Sequence, residues 1–201
     1  HIQAVTAMRD AGIDVAVAAD DAAMLPAYDD VIDDDSVITV GSLRIRAVHT
    51  PGHTVDHLCL WDAEHGVLLS GDHVLPTITP HVAGSASGDS LRAYLKTLDL
   101  VADLPEVRLG LPAHGHPFDD VPGRVASIKE HHAERMEHLH AASVAIGPAS
   151  VERLSHEVFP ERHWGVMAES ETFAHLEYLR QTGKAVTRVD QGELRYRIVE
   201  H

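Results

Sequence analysis

The sequence predicts a mixed α/β chain: a sheet covered by helices, followed by a smaller module of helices and a β-hairpin. Strand-like runs alternate with helical stretches, yet several strands are joined by turns too short for a crossover, so the sheet is mixed rather than purely parallel. Residues 121–146 read as one long helix, stopped by Gly147-Pro148. Two helices and a hairpin then follow in quick succession, the pattern of a winged-helix-like module.

Taken in order, residues 2–11 read as a helix ending at Gly12, where glycine accepts a left-handed cap. Ile13 to Val17 alternates as a strand does. Val37 to Val40 and Leu43 to Val48 are strands joined by the two-residue turn Gly41-Ser42. Leu58 to Trp61 and Val67 to Leu69 form a second hairpin around Glu64-His65-Gly66. A helix from Ser90 to Ala102, capped by Asp89 or Ser90, leads to a strand over Val107 to Leu111. Beyond the long helix, helices are expected over 149–158 and 170–182, then strands over 185–189 and 193–198 with the turn Asp190-Gln191-Gly192. The domain boundary is therefore expected at the glycine-proline break. Residues 1–147, long connecting helix included, form the larger unit and 148–201 the smaller.

Composition narrows the function classes. The net charge of −15 disfavours nonspecific contact with nucleic acid or anionic membrane. No apolar run is long enough to span a bilayer, and no signal peptide is visible in a chain that begins at His1. The one cysteine, Cys59, lies in an apolar strand and reads as a buried, inert thiol; a reducing cytoplasm is the expected compartment. The acidic run Asp33-Asp34-Asp35 reads as a solvated loop, because the glycine and terminal glutamate of a calcium loop are absent. Of the 17 histidines, His131, His132, His138 and His140 fall on the long helix and are expected on a solvated face.

Three segments carry the chemistry: His49-Thr50-Pro51-Gly52-His53-Thr54, Ser70-Gly71-Asp72-His73 and Leu111-Pro112-Ala113-His114-Gly115-His116. Each presents a histidine or aspartate on a glycine-containing turn directly after a strand, the arrangement by which side chains converge at one edge of a sheet. Imidazole and carboxylate donors without thiolate suit a borderline ion such as Zn²⁺. A carboxylate between histidines can bridge two such ions, which together activate one water and polarise a carbonyl or phosphoryl oxygen.

His53, Asp72 and His114, in this order and setting, resemble the later motifs of the metallo-β-lactamase superfamily of dinuclear metal hydrolases. The resemblance implies an αββα sandwich, of which this chain would hold the C-terminal portion. The tail, Glu171 to Leu179 followed by Gly183-Lys184, is similar to the winged-helix domain of the subgroup resembling β-lactamase-like protein 2 and, more distantly, glyoxalase II. By this resemblance His53 binds the first metal, Asp72 bridges and serves as the catalytic carboxylate, and His114 binds the second. His57 and His81 would hold a ligand or the substrate by hydrogen bond, an ordinary loop histidine being the alternative for each. The family's opening motif, His-x-His-x-Asp-His, is missing. Because the helix and strand that should follow it are present, His1 is read as its final histidine and a ligand of the second metal, with a leftover tag histidine as the alternative. Two Zn²⁺ are expected in the complete protein and at most one held firmly by this chain alone, the rest of the site coming from a missing N-terminal segment.

Two activities are weighed. The first is hydrolysis of a small ester, thioester or lactone by a metal-bound hydroxide. The second is endonucleolytic cleavage of single-stranded RNA at the same dinuclear site. Residues 180–197 do carry five basic residues against two acidic ones, but residues 148–201 carry seven against nine. The tail is therefore expected to wall the active-site cleft or form a homodimer surface rather than to read nucleic acid. A metal-free binding protein is a third class, and the intact later ligands argue against it.

Overall fold

The computed structural model describes residues 7–18, 29–85 and 90–199. His1, the first residues of the expected N-terminal helix, and Asp89 lie outside them.

Residues 7–10 are helical and end at Gly12, whose φ of 74° takes the expected left-handed cap. Strand β1 (Ala16–Ala18) begins later than expected and pairs in parallel with β2 (Asp30–Ile32), which the sequence did not announce. The main sheet has five strands in the order β3 (Val37–Val40), β4 (Leu43–His49), β5 (Leu58–Asp62), β6 (Val67–Gly71) and β7 (Leu109–Pro112). Its first three pairings are antiparallel, and β6 pairs with β7 in parallel through a crossover containing α1 (Ser90–Ala102). The acidic run is a turn with work to do. Asp34 accepts the His49 N–H at 2.8 Å, and Asp35, at φ 65°, pairs with Arg46.

One face of the sheet is covered. Cys59 and Trp61 of β5 and Leu68 of β6 point into a core with Leu91, Tyr94, Leu98 and Val101 of α1, at helical spacing. Val121, Val125 and Ile128 of α2 (Val121–Ile146) complete it. Leu69 of β6 and Leu109 of β7 remain 36% exposed. Among the described residues the five-stranded sheet thus carries helices on one face, as expected of a portion of the αββα sandwich.

Helix α2 matches its expected span. Asp120 caps it by accepting the Gly123 N–H at 2.9 Å, and Gly147 ends it at φ 74°. The next helix, α3 (Val151–Val158), starts two residues late because Ala149 instead exchanges both backbone hydrogen bonds with Tyr196. After a single 3₁₀ turn at Glu161–His163, α4 (Val166–Gln181) starts earlier than expected. Strands β8 (Ala185–Asp190) and β9 (Glu193–Ile198) form the terminal hairpin, turning with positive φ at Gln191 and Gly192. A second core gathers Leu139 and Ala142 of α2, Leu154 of α3, Leu176 and Leu179 of α4, and Tyr196 and Ile198 of β9. Helices α2 and α4 each contribute to both cores.

One expectation is corrected. His132 does not lie on a solvated face: it is 1% exposed, packed between Tyr94 of α1 and His175 of α4. Helical spacing placed it beside surface residues, but α4 returns over that side of α2 and covers it. His138 is exposed, and His131 and His140 are half-buried.

Candidate functional site

Strand direction decides where the three segments meet. Because β4 and β6 each run antiparallel to β5, and β7 runs parallel to β6, the C-terminal ends of β4, β6 and β7 lie at one edge of the sheet. The His49–Thr54 turn, Gly71-Asp72 and Ala113-His114 all emerge there.

The β6–β7 pairing continues past the strands, with the Ala113 N–H donating to the Gly71 carbonyl at 2.9 Å. That bond sets His114 beside Asp72, Nε2 to Oδ1 at 3.5 Å. The His114 side chain is 71% exposed and Asp72 32%, so the pair faces solvent at the sheet edge. His53 is oriented through its other nitrogen: Nδ1–H donates to the His81 carbonyl at 2.7 Å, which leaves the Nε2 lone pair as its donor atom.

His57 turns to the backbone of Asp72. Its Nε2 accepts the Asp72 N–H at 3.2 Å, so Nδ1 carries the proton and meets the Thr50 hydroxyl at 2.7 Å. Burial, then the nearby His53 charge, pushes its pKa down to about 4, and it stays neutral near pH 7. His57 therefore holds the Asp72 backbone in place and has no nitrogen left for a ligand. Glycine makes this possible: a Cβ at Gly71 would stand 2.5 Å from the His57 Nε2. Gly52 does the same beside α1, where a Cβ would stand 2.5 Å from that of Tyr94.

His81 also acts as a strut. Its carbonyl accepts the His53 Nδ1–H, and its Nε2–H donates to the Met167 carbonyl at the start of α4 at 3.2 Å. Beneath the site lies His73, wholly buried, whose pKa is lowered to about 3 by burial and then by His57. Neither of its ring nitrogens has a hydrogen-bond partner among the described residues. The Tyr94 hydroxyl donates to its carbonyl at 2.7 Å. Thr50, His73 and Tyr94 had no assigned role in the sequence reading; position beside the motif residues was the only signal they offered. Cys59 is inert as expected, its thiol pushed up to about 12 by burial.

The donor types match zinc, but their number does not. Among the described residues no group of three or more His, Cys, Asp or Glu side chains gathers closely enough to hold a metal ion. His114 and Asp72 converge and His53 stands on the same edge, whereas a zinc site needs at least three protein donors. The described residues alone are an incomplete centre.

Comparison with known proteins agrees with this architecture. The chain is 36% identical over 106 residues to the lactamase-like protein nscB of Aspergillus fumigatus, covering 53% of this chain and 30% of that protein. It is 34% identical over 102 residues to the atrochrysone carboxyl ACP thioesterase of Aspergillus chevalieri, covering 51% of this chain and 31% of that protein. Among solved structures, a metallo-beta-lactamase family protein of Thermus thermophilus superposes with a TM-score of 0.76 at 34% identity, over 87% of this chain and 56% of that one. A beta-lactamase domain protein of Burkholderia ambifaria superposes with a TM-score of 0.78 at 31% identity, over 86% of this chain and 53% of that one. The chain thus spans about a third of these curated relatives and little more than half of these structures. The family profile itself matches residues 5–114, more than half of the chain, with the first two motif turns and the third as far as His114. The chain belongs to the metallo-beta-lactamase superfamily.

Proposed function

We propose that the complete protein is a metal-dependent hydrolase of a small ester, thioester or lactone. The observation that carries this reading is the approach of His114 Nε2 to Asp72 Oδ1 at 3.5 Å, on the edge where His53 also stands with its Nδ1 tied back. In this reading His53 would help hold the first zinc ion, His114 the second, and Asp72 would be shared between them. The remaining donors, His1 among them, come from outside the described residues. A bound metal would supply the Lewis acidity that makes hydroxide available near neutral pH and polarises the scissile carbonyl. The chain's own contribution is positional: Thr50 and His57 hold the Asp72 backbone, and the His81 carbonyl aims His53. The relative named as an ACP thioesterase supports thioester chemistry as one candidate. We take residues 148–201 as a separate winged-helix-like unit in a cytoplasmic protein, walling the cleft or serving a homodimer surface.

A second reading, cleavage of single-stranded RNA, has one observation in its favour. The terminal hairpin carries Arg188, Arg195 and Arg197 around a cavity of about 450 Å³ with Pro148, Val186 and Thr187. Asp190 stands 3.7 Å from Arg188 and 3.6 Å from Arg195, which partly neutralises the patch. The experiment is a panel assay of the full-length, zinc-loaded protein on p-nitrophenyl esters, acyl thioesters, lactones and single-stranded RNA, with and without chelator. Chelator-sensitive ester or thioester cleavage supports the first reading; salt-sensitive RNA cleavage without esterase activity replaces it with the second.

A further inference from the structure

The loop that leaves the second motif turn reaches both of the others. Residues 72–85 form neither helix nor strand, yet Val74, Leu75 and Val82 are buried. With no ladder to satisfy it, this backbone depends on side chains from elsewhere. Tyr94 of α1 holds the His73 carbonyl at 2.7 Å, and Ser90 holds that of Ala83 at 2.7 Å. Between these ends the loop touches the settings of two candidate donors. The His81 carbonyl accepts the His53 Nδ1–H at 2.7 Å. Pro76 packs so closely on the turn after His114 that a Cβ at Gly115 would stand 2.7 Å from its ring.

One cation pins the middle of this loop. Arg124, early in α2, donates its Nε–H to the Leu75 carbonyl at 2.5 Å and an Nη2–H to the Ile78 carbonyl at 2.7 Å. Its Nη1 donates to the Ser127 hydroxyl at 3.1 Å, which fixes the guanidinium plane against its own helix. Bonds from a charged donor are stronger than neutral ones, and the rigid fork holds two carbonyls at once where a lysine ammonium would hold a point. In a chain of net charge −15, none of these three bonds goes to a carboxylate; two of them are spent on loop backbone. Leu75 and Ile78 flank Pro76, and Ile78 lies three residues before His81. The staple therefore sits between the contact with the His114 turn and the bond to His53. Its own base is firm, since Val121, Val125 and Ile128 of α2 are core residues.

We infer that Arg124 is a positioning residue of the candidate site: by holding the Leu75 and Ile78 carbonyls it fixes the loop that aims His53 and braces the His114 turn, and so raises the affinity of the site for zinc. The consequence for zinc rests on the hydrolase reading; the hold on His53 does not. Arg124 acts through the loop alone. Without its two bonds the His81 carbonyl loses its fixed place, and the His53 ring is free to exchange the Nδ1–H form for the Nε2–H form, which has no lone pair on the outward nitrogen.

The test compares Arg124→Met, which keeps the length of the side chain and removes its donors, with Val125→Ala, which weakens the core at the neighbouring position. Both are made in the full-length protein. Nitrogen-15 shifts of the His53 ring, recorded without metal, should show the Nδ1–H form in the unmodified protein and a mixture of tautomers in Arg124→Met. Added ethylguanidinium should restore the unmodified spectrum, and ethylammonium should not. Val125→Ala should lower the urea midpoint and leave the His53 ring unmoved. Zinc affinity, read by competition with a chromogenic chelator, should fall about tenfold in Arg124→Met, the lower end of what losing support behind a ligand costs. A His53 spectrum that is unchanged in Arg124→Met, reproduced by Val125→Ala or not restored by ethylguanidinium overturns the positioning role. A tautomer shift that ethylguanidinium reverses, with zinc affinity unchanged, keeps the hold on His53 and sinks its reading as a zinc donor. Weaker zinc binding with an unmoved His53 ring overturns the role of Arg124 and leaves the metal reading standing.

Discussion

His132 on α2 and His175 on α4 share one buried hydrogen bond, Nδ1 to Nε2 at 3.0 Å, where the two hydrophobic cores meet. The network sets the protons. His175 Nδ1–H donates to the Glu171 carbonyl at 2.7 Å, so its Nε2 accepts from His132 Nδ1–H. His132 Nε2 has no partner among the described residues. Burial first, then the charge of His175 for His132, holds His132 down to about 3; burial holds His175 down to about 4.

That pair makes stability depend on acid. Unfolded histidine titrates near ~6.5, above both folded values, so the unfolded chain binds more protons as pH falls. The pair's contribution is therefore complete above about pH 6.5 and is lost progressively as pH drops toward the folded values near 4 and 3. Urea midpoints at pH 7.5, 6, 5 and 4.5 should fall in that order. A His132→Leu/His175→Leu double variant should lose part of the slope. His132→Leu alone strands the His175 acceptor and should cost roughly 1–3 kcal/mol at pH 7. A pH dependence identical in the double variant and the unmodified protein would refute this assignment.

Gly71 is the tightest backbone position at the sheet edge. At φ 53° and with the His57 ring where a Cβ would go, Gly71→Ala should destabilise by about 1–3 kcal/mol. It should also release the Asp72 N–H from His57. Urea unfolding measures the first effect. Loss of protection of the Asp72 amide in hydrogen exchange measures the second.

Thr50 reinforces the His57 tautomer that the Asp72 N–H sets. Thr50→Val keeps the shape and removes the oxygen that meets His57 Nδ1 at 2.7 Å. The expected cost is about 1–3 kcal/mol for the stranded imidazole N–H. Nitrogen-15 shifts of the His57 ring should show a changed tautomer population. An unchanged ring spectrum would remove Thr50 from this role.

Asp72 and His114 should separate binding from folding. His114 is largely exposed and Asp72 partly so, so His114→Ala and Asp72→Asn should leave the urea midpoint within the equivalent of about 0.5 kcal/mol. Zinc affinity of the full-length protein, read by competition with a chromogenic chelator, should fall at least tenfold in each. Full zinc retention in both variants would contradict the proposed ligand roles.

Much of the fold was legible because its signals are local. The hairpin turns at Gly41-Ser42 and Gln191-Gly192, the capped span of α2 and the helical spacing of α1 all follow from nearby residues. The late start of α3 was not legible, since Ala149 is claimed by Tyr196, 47 positions away. Nor was the burial of His132, which depends on α4 returning across α2. At the candidate site, the motif turns were readable as donors on strand ends. The particular partners of His57 and His81 were not, because those partners are backbone groups that come near only when the chain has folded.

The sequence by itself determined the order of the strands and helices apart from β2, the glycine turns and the donor types at His53, Asp72 and His114, because each is a property of a few adjacent residues. Only the tertiary structure decided which ends of the strands meet, that His114 approaches Asp72, and that α4 reaches His53 through His81. Those outcomes depend on strand direction and on contacts between distant segments, set by how the buried faces of sheet and helices close on one another.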